Sequence, residues 1–286
     1  MNNKNLSFWL FLLPALFALI VVVFFPFMYG FYYTFTDWNG LRATAFLGFD
    51  NYFAIFSDQR FIESLIFTVK FAITSIVIVN VLGLSLAVLV TQKIKISNGL
   101  RTIFFMPNLI GGLILGFIWQ FIFISGFDAI GKLFDISFLQ GWLSTAETGF
   151  WGLVILNVWQ YAGYIMIIYI SYLQGVPQEL IEAAEIDGAS GFQRFWRIKF
   201  PLVAPAFTVS LFLTLSNAFK LYDQNLALTN GGPYGSTEML AMEIYNTAFS
   251  RYDMAYAQSK AVIFFILVAI VALTQVYVNK KREVEL

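Results

Sequence analysis

The chain has 286 residues, 59% of them hydrophobic and only 12% charged, against about 25% charged in ordinary soluble domains. Its 17 Lys and Arg balance 17 Asp and Glu, so the formal net charge is zero and no basic field argues for nucleic acid. Cysteine and histidine are absent, which excludes disulfides, thiolate metal sites and imidazole as ligand, general base or pH switch. The composition is that of an all-α membrane protein, a single domain over 1–286 solvated mainly by lipid.

A helix crossing the hydrocarbon layer needs roughly 20 mainly apolar residues. Six runs qualify, near 8–35, 71–92, 102–126, 149–175, 202–222 and 261–279. Pro14 and Pro26 predict kinks in the first, which neighbouring helices tolerate. This run exceeds a signal-peptide core and no small-residue cleavage site follows, so it is expected to be retained. Gly112 and Gly116 in the third run form a GxxxG, a helix-packing signal. Cations gather in alternate short loops: Lys4; Lys93, Lys95 and Arg101; Arg194, Arg197 and Lys199; Lys280, Lys281 and Arg282. The opposite loops hold Arg42, Arg60, Lys132, Arg251 and Lys260 at lower density, mixed with acids. The positive-inside rule therefore places both termini, and segment 178–201, in the cytoplasm.

The fourth run carries Asn157, Gln160, Tyr161 and Tyr164 at i, i+3, i+4, i+7, one face of a helix. Asn and Gln each donate and accept, which suits sugar hydroxyls. Tyrosine rings stack on the apolar face of a pyranose while the phenol finds a hydrogen bond. The same face also reads as an interhelical polar clamp, and the residues alone leave both readings open.

Between the fourth and fifth runs lies a charged island. Pro177 ends the fourth run, and Gln178 to Asp187 is rich in helix formers, with acids suited to a helix N-terminus. Leu180, Ala183, Ala184 and Asp187 make one small, shallow face, and Gly188 suits a left-handed helix stop. Ser190 predicts an N-cap for a second helix from Gly191 to about Lys199, seated on the bundle by Phe192, Phe195 and Trp196. The sequence Glu182-Ala183-Ala184, three residues, Gly188, nine residues, Ile198-Lys199-Phe200-Pro201 resembles the coupling-loop signature of permease subunits in binding-protein-dependent ABC importers. Only its Leu is replaced, by Phe200.

The resemblance runs from about the second span to the sixth and is similar to the first permease subunit of maltose-type carbohydrate importers. It implies a type I importer permease fold of six transmembrane helices with a cytoplasmic coupling helix. It further implies that Glu182, Ala183, Ala184, Asp187, Gly188, Ile198 and Pro201 meet a separate ATPase subunit. The face of Asn157, Gln160, Tyr161 and Tyr164 corresponds to one that lines the sugar site in that subunit. Asn157 and Tyr164 match it; Gln160 and Tyr161 differ. The facing wall corresponds to Thr214, Asn217, Ala218 and Leu221 on the fifth run. Lys220 and Asp223 stand i, i+3, an outer-interface pair or contacts to a charged sugar. Leu228-Thr229-Asn230-Gly231-Gly232-Pro233 marks a turn and resembles the family's outer-loop signature. Thr237 to Phe249 is expected to form a short interfacial helix.

The expectation is thus an ATP-driven importer permease that moves a sugar or oligosaccharide by alternating access, multi-pass in a bacterial inner or plasma membrane. Implied partners are a second similar permease, two ATPase subunits, an external solute-binding protein, the sugar and membrane lipid. No cofactor is expected in this chain: it lacks a G-x-x-x-x-G-K-[ST] loop, so ATP and Mg belong to the ATPase subunits, and the chain is not itself an enzyme. A permease for glycerol-phosphate or a polyol derivative is the alternative cargo reading. An ion-coupled carrier wants a carboxylate deep in a span, and only Asp223, at an edge, approaches that.

Overall fold

The computed structural model describes residues 3–92 and 95–281, so two of the orienting cations, Lys93 and Arg282, lie outside the described residues. The chain forms two compact units, one combining Met1–Ile62 with Glu243–Ile266, the other Glu63–Met242 with Leu267–Leu286. Among the described residues, five helices are long and apolar enough to cross a membrane. A bent pair supplies a sixth crossing if its two members count as one.

In the first unit, α1 (Phe8–Tyr33) stays helical past both prolines. Its hydrogen bonding widens to a π-helical segment at Ile20–Phe24, just before Pro26. Pro26 has no N–H to return to the preceding turn, and the wider turn accommodates its ring. No residue in the most apolar stretch of α1 is buried within the chain. Beyond α1, the Asp37 carboxylate accepts from the backbone N–H of Ala45 and from the Thr44 hydroxyl and N–H, which hold its pKa at about 2. The short α2 (Asp50–Ile55) is tied back by Asn51, whose amide donates to the carbonyls of Thr34 and Thr36 at 2.8 and 2.9 Å.

The same unit holds a buried, charge-balanced cluster. Helix α3 (Gln59–Thr91) follows Asp58, and the last helix, α12, spans Met254–Lys280. Lys260 is 0% exposed, with its ammonium 2.6 Å from Glu243 and 2.7 Å from Asp58. Arg251 reaches Glu243 at 2.9 Å, and the Tyr256 hydroxyl donates to Asp58 at 3.0 Å. Burial works against the Asp58 charge, but hydrogen bonds from Lys260, the Phe61 N–H and Tyr256 outweigh it and hold this carboxyl below the usual range. Lys260 is therefore no loop cation, as its place before an expected span start at 261 suggested. The helix begins at Met254 and carries the lysine inside, because two carboxylates compensate the charge.

In the second unit the third crossing differs from expectation. Helix α4 (Ser97–Phe105) leads into a 3₁₀ turn at Met106–Leu109, Ile110 and Gly111 are extended, and α5 runs Gly112–Leu133. Adjacent Gly111 and Gly112 raise the entropic cost of continuing a helix there, so the run expected at 102–126 divides at that point. Helix α6 (Ala146–Leu173) opens on a capping box between Thr145 and Thr148. It forms the centre of the unit, with Leu153, Leu156, Ile165, Met166 and Tyr169 fully buried.

After the island, formed by α7 (Gln178–Ile186) and α8 (Gly191–Leu202), comes α9 (Ala204–Phe219), bent 67° from α8. Pro205, in the first turn of α9, has no N–H to bond back across the break at Val203. Helix α10 (Asp223–Leu228) packs its Ala227 against Gly116, where a Cβ would lie 2.5 Å from the Ala227 Cβ. The GxxxG thus seats a short helix. Asn225 organises the following turn, donating to the Thr237 carbonyl at 2.8 Å and accepting from the Met239 N–H at 3.1 Å. Gly231 takes the left-handed φ of 75° that this turn requires. The segment expected as an interfacial helix forms α11 (Leu240–Tyr245), extended by a π-helical turn at Asn246–Ser250.

Candidate functional site

The island from Gln178 to Leu202 is closed by local chemistry at each joint. Helix α7 ends at Asp187 and Gly188 turns left-handed at φ 78°. The Ala189 N–H then bonds the Ala184 carbonyl at 2.9 Å, and the Gly188 N–H bonds the Glu185 carbonyl at 3.1 Å. These two bonds are a Schellman stop, which satisfies carbonyls that a helix end leaves open. Two residues on, Ser190 and Gln193 exchange side-chain and backbone bonds as a capping box and start α8. An ion pair of 2.6 Å between Arg194 and Glu185 then links α8 to α7. A 350 Å³ pocket sits at the root of the island, where Thr91 of α3 and Leu173 of α6 face Ile181, Arg194 and Lys199.

Of the expected coupling residues, Glu182, Ala183, Asp187 and Gly188 are exposed, while Ala184, Ile198 and Pro201 are half-buried. Ile186 is 86% exposed and Phe192 74% exposed. The aromatic seat differs from expectation: Phe195 is half-buried, but Phe192 and Trp196 face outward. Phe192 and Trp196 instead meet each other on the outer face, ring centroids 6.1 Å apart. The island therefore presents small residues, acids and uncovered apolar side chains together.

The polar face of α6 divides into several environments. Gln160 is a clamp: its amide donates to the Ile110 carbonyl at 3.2 Å and its oxygen accepts from Gln224 at 2.9 Å. It thereby fixes the extended break between α4 and α5. Asn157 is 3% exposed, and its side-chain oxygen has no hydrogen-bond partner. Tyr161 and Tyr164 are half-buried. On the fifth run, Thr214 belongs to a node that joins three helices. Asn80 donates to Thr214 at 3.1 Å, Tyr169 donates to Asn80 at 3.0 Å, and Ser210 donates to Tyr169 at 2.8 Å. Asn217 is half-buried, and Ala218 and Leu221 are buried. Lys220 and Asp223 are both exposed, and no ion pair joins them among the described residues. Asn80 was missed from sequence; its signal was an amide in the middle of an apolar run.

Comparison with known proteins agrees with this architecture. A family profile described as binding-protein-dependent transport system inner membrane component matches residues 79–284. The probable starch degradation products transport system permease protein AmyD of Thermoanaerobacterium thermosulfurigenes is 56% identical over 284 residues, 99% of this chain and 97% of that one. The multiple sugar-binding transport system permease protein MsmF of Streptococcus mutans is 35% identical over 278 residues, 96% of each chain. Among solved structures, a chain of a bacterial ABC transporter involved in the import of the acidic polysaccharide alginate superposes with a TM-score of 0.85 at 18% identity. The match covers 98% of this chain and 96% of that one and is a likeness of fold.

Proposed function

From the premise that the chain belongs to the binding-protein-dependent transport system inner membrane component family, we propose that it moves sugars released from a larger carbohydrate. The chain is a membrane-embedded permease subunit of an ABC importer and not an enzyme. Its companions in this reading are a second, similar permease, two ATPase subunits that bind ATP and Mg, and an external sugar-binding protein. Both termini and the α7–α8 island face the cytoplasm.

The observation that carries the reading is the island itself. Two caps and an ion pair stiffen it, yet Ile186, one turn from Glu182 and Ala183, and Phe192 are left uncovered. A surface of this kind is built to be covered by a partner. With the ATPase subunits docked on α7, their closure on ATP moves the island as one body. The bend at Val203 passes that motion to α9. Alternating access follows, with the permeases rocking to expose and then close a sugar site near Asn157, Tyr161, Tyr164 and Asn217. The unpaired acceptor of Asn157 is a group held ready for a hydroxyl donor. Gln160 and Thr214, engaged in clamps, shape the site from behind.

Exchanging Glu182 for lysine tests the coupling half of this reading. Glu182→Lys is expected to insert normally but to abolish ATP-driven sugar uptake in reconstituted vesicles and to lose the ATPase subunits on purification. Wild-type uptake by that variant refutes the docking surface.

A further inference from the structure

The face of α6 opposite its polar residues forms one wall of a groove of about 780 Å³ between α3, α4 and α6, lined by apolar residues throughout. Leu82 and Leu86 of α3, Phe104 of α4, and Val158 and Trp159 of α6 are among them. The volume falls in the range of roughly 300–1,000 Å³ typical of small-molecule sites.

The groove is fixed by backbone contact. A Cβ on Gly163 would lie 1.8 Å from the Phe104 carbonyl oxygen, so α4 rests on α6 at the closest approach a glycine allows. A Cβ on Gly83 would lie 2.8 Å from Ile165, which brings α3 almost as close. Walls set by main chain do not collapse to fill the space. The lining is apolar along the groove, which matches an acyl chain.

A cation stands at one end. The Arg101 guanidinium donates to the Val90 carbonyl at 3.3 Å, one turn beyond Leu86 in α3, and Arg101 is itself within one turn of the groove residue Phe104. This is the end toward the α7–α8 island, since Val88 and Thr91 of the same helix line the pocket with Ile181 and Arg194. Arg101 makes no ion pair among the described residues, and its Nε is buried without a hydrogen-bond partner. A half-buried guanidinium outside any ion pair is a suitable partner for a phosphate oxygen.

We propose that this groove binds an anionic membrane phospholipid, its acyl chain along Leu82, Leu86, Phe104 and Val158 and its phosphate at Arg101. Basic residues between membrane helices near the cytoplasmic leaflet hold anionic headgroups by the same charge logic.

The test uses the intact complex, purified with its companion subunits and placed in vesicles of phosphatidylethanolamine containing phosphatidylglycerol. Each lipid in turn carries a photoreactive diazirine on its acyl chain, and adducts are mapped by mass spectrometry. The phosphatidylglycerol probe is expected to label the segment around Val158 more strongly than the phosphatidylethanolamine probe. Arg101→Gln should reduce that preference roughly fivefold, and Arg101→Lys should keep part of it. Equal labelling by the two probes overturns the proposal, because the groove then holds only bulk lipid. So does an absence of lipid adducts with Val158 crosslinking instead to the second permease, which makes the groove a subunit seam. The comparison of probes on the wild-type complex decides the matter even if Arg101→Gln fails to assemble.

Discussion

Lys260 keeps its ammonium buried because Glu243 and Asp58 both lie within 2.7 Å, and Arg251 completes a neutral set of two acids and two bases. Removing one member leaves an uncompensated buried charge, and such breaks cost about 3–5 kcal/mol. Lys260→Met is therefore expected to lower the thermal midpoint, followed by tryptophan fluorescence in detergent. Lys260→Met with Glu243→Gln restores neutrality and should recover much of the loss. A single variant as stable as wild type would show the cluster to be idle. At this scale the sequence was least legible. Gln160 was recognised as one of four polar residues on a face of α6, but its engagement with Ile110 and Gln224 depends on residues 50 and 64 positions away. The node of Thr214 with Asn80, Tyr169 and Ser210 likewise depends on residues on three different helices.

Helices were legible wherever local chemistry sets their ends. The stop at Gly188 and the start at Ser190 follow from the left-handed freedom of glycine and the reach of a serine hydroxyl, and both formed where the residues predicted them. Helices set by packing were misjudged. The third run divides at Ile110–Gly111, α3 extends back to Gln59, and Phe192 and Trp196 of α8 face outward. The contact of α4 on α6 supplies a contrast between two glycines. Gly163→Ala places a methyl 1.8 Å from the Phe104 carbonyl and must push α4 away, with an overpacking cost of about 1–3 kcal/mol or more. Gly99→Ala, in α4 with nothing within 4 Å of its Cβ, should be neutral or stabilising by up to about 1 kcal/mol. Thermal midpoints of the two variants check this directly, and equal midpoints would deny the close approach.

For the molecule as a whole, the expected energy source is ATP and not an ion gradient. Among the described residues, the carboxylates paired with Lys260 are already neutralised, which leaves them poorly suited to carry a coupling proton. Uptake of labelled oligosaccharide into cells is thus expected to survive a protonophore while ATP is maintained and to stop when ATP is depleted. The reverse pattern would place the chain among ion-coupled carriers. The sequence by itself determined the lipid-facing character of the chain and the joints at Gly188 and Ser190 that shape the α7–α8 island. Hydropathy, charge placement and capping are properties of a residue and its near neighbours, and they need no third dimension. Only the tertiary structure decided which polar groups clamp helices and which stay unpaired, where the third crossing breaks, and that an apolar groove with a cation at its end runs along α6. Those outcomes rest on contacts between residues far apart in the chain, where a glycine or an amide acquires its role from what is brought against it.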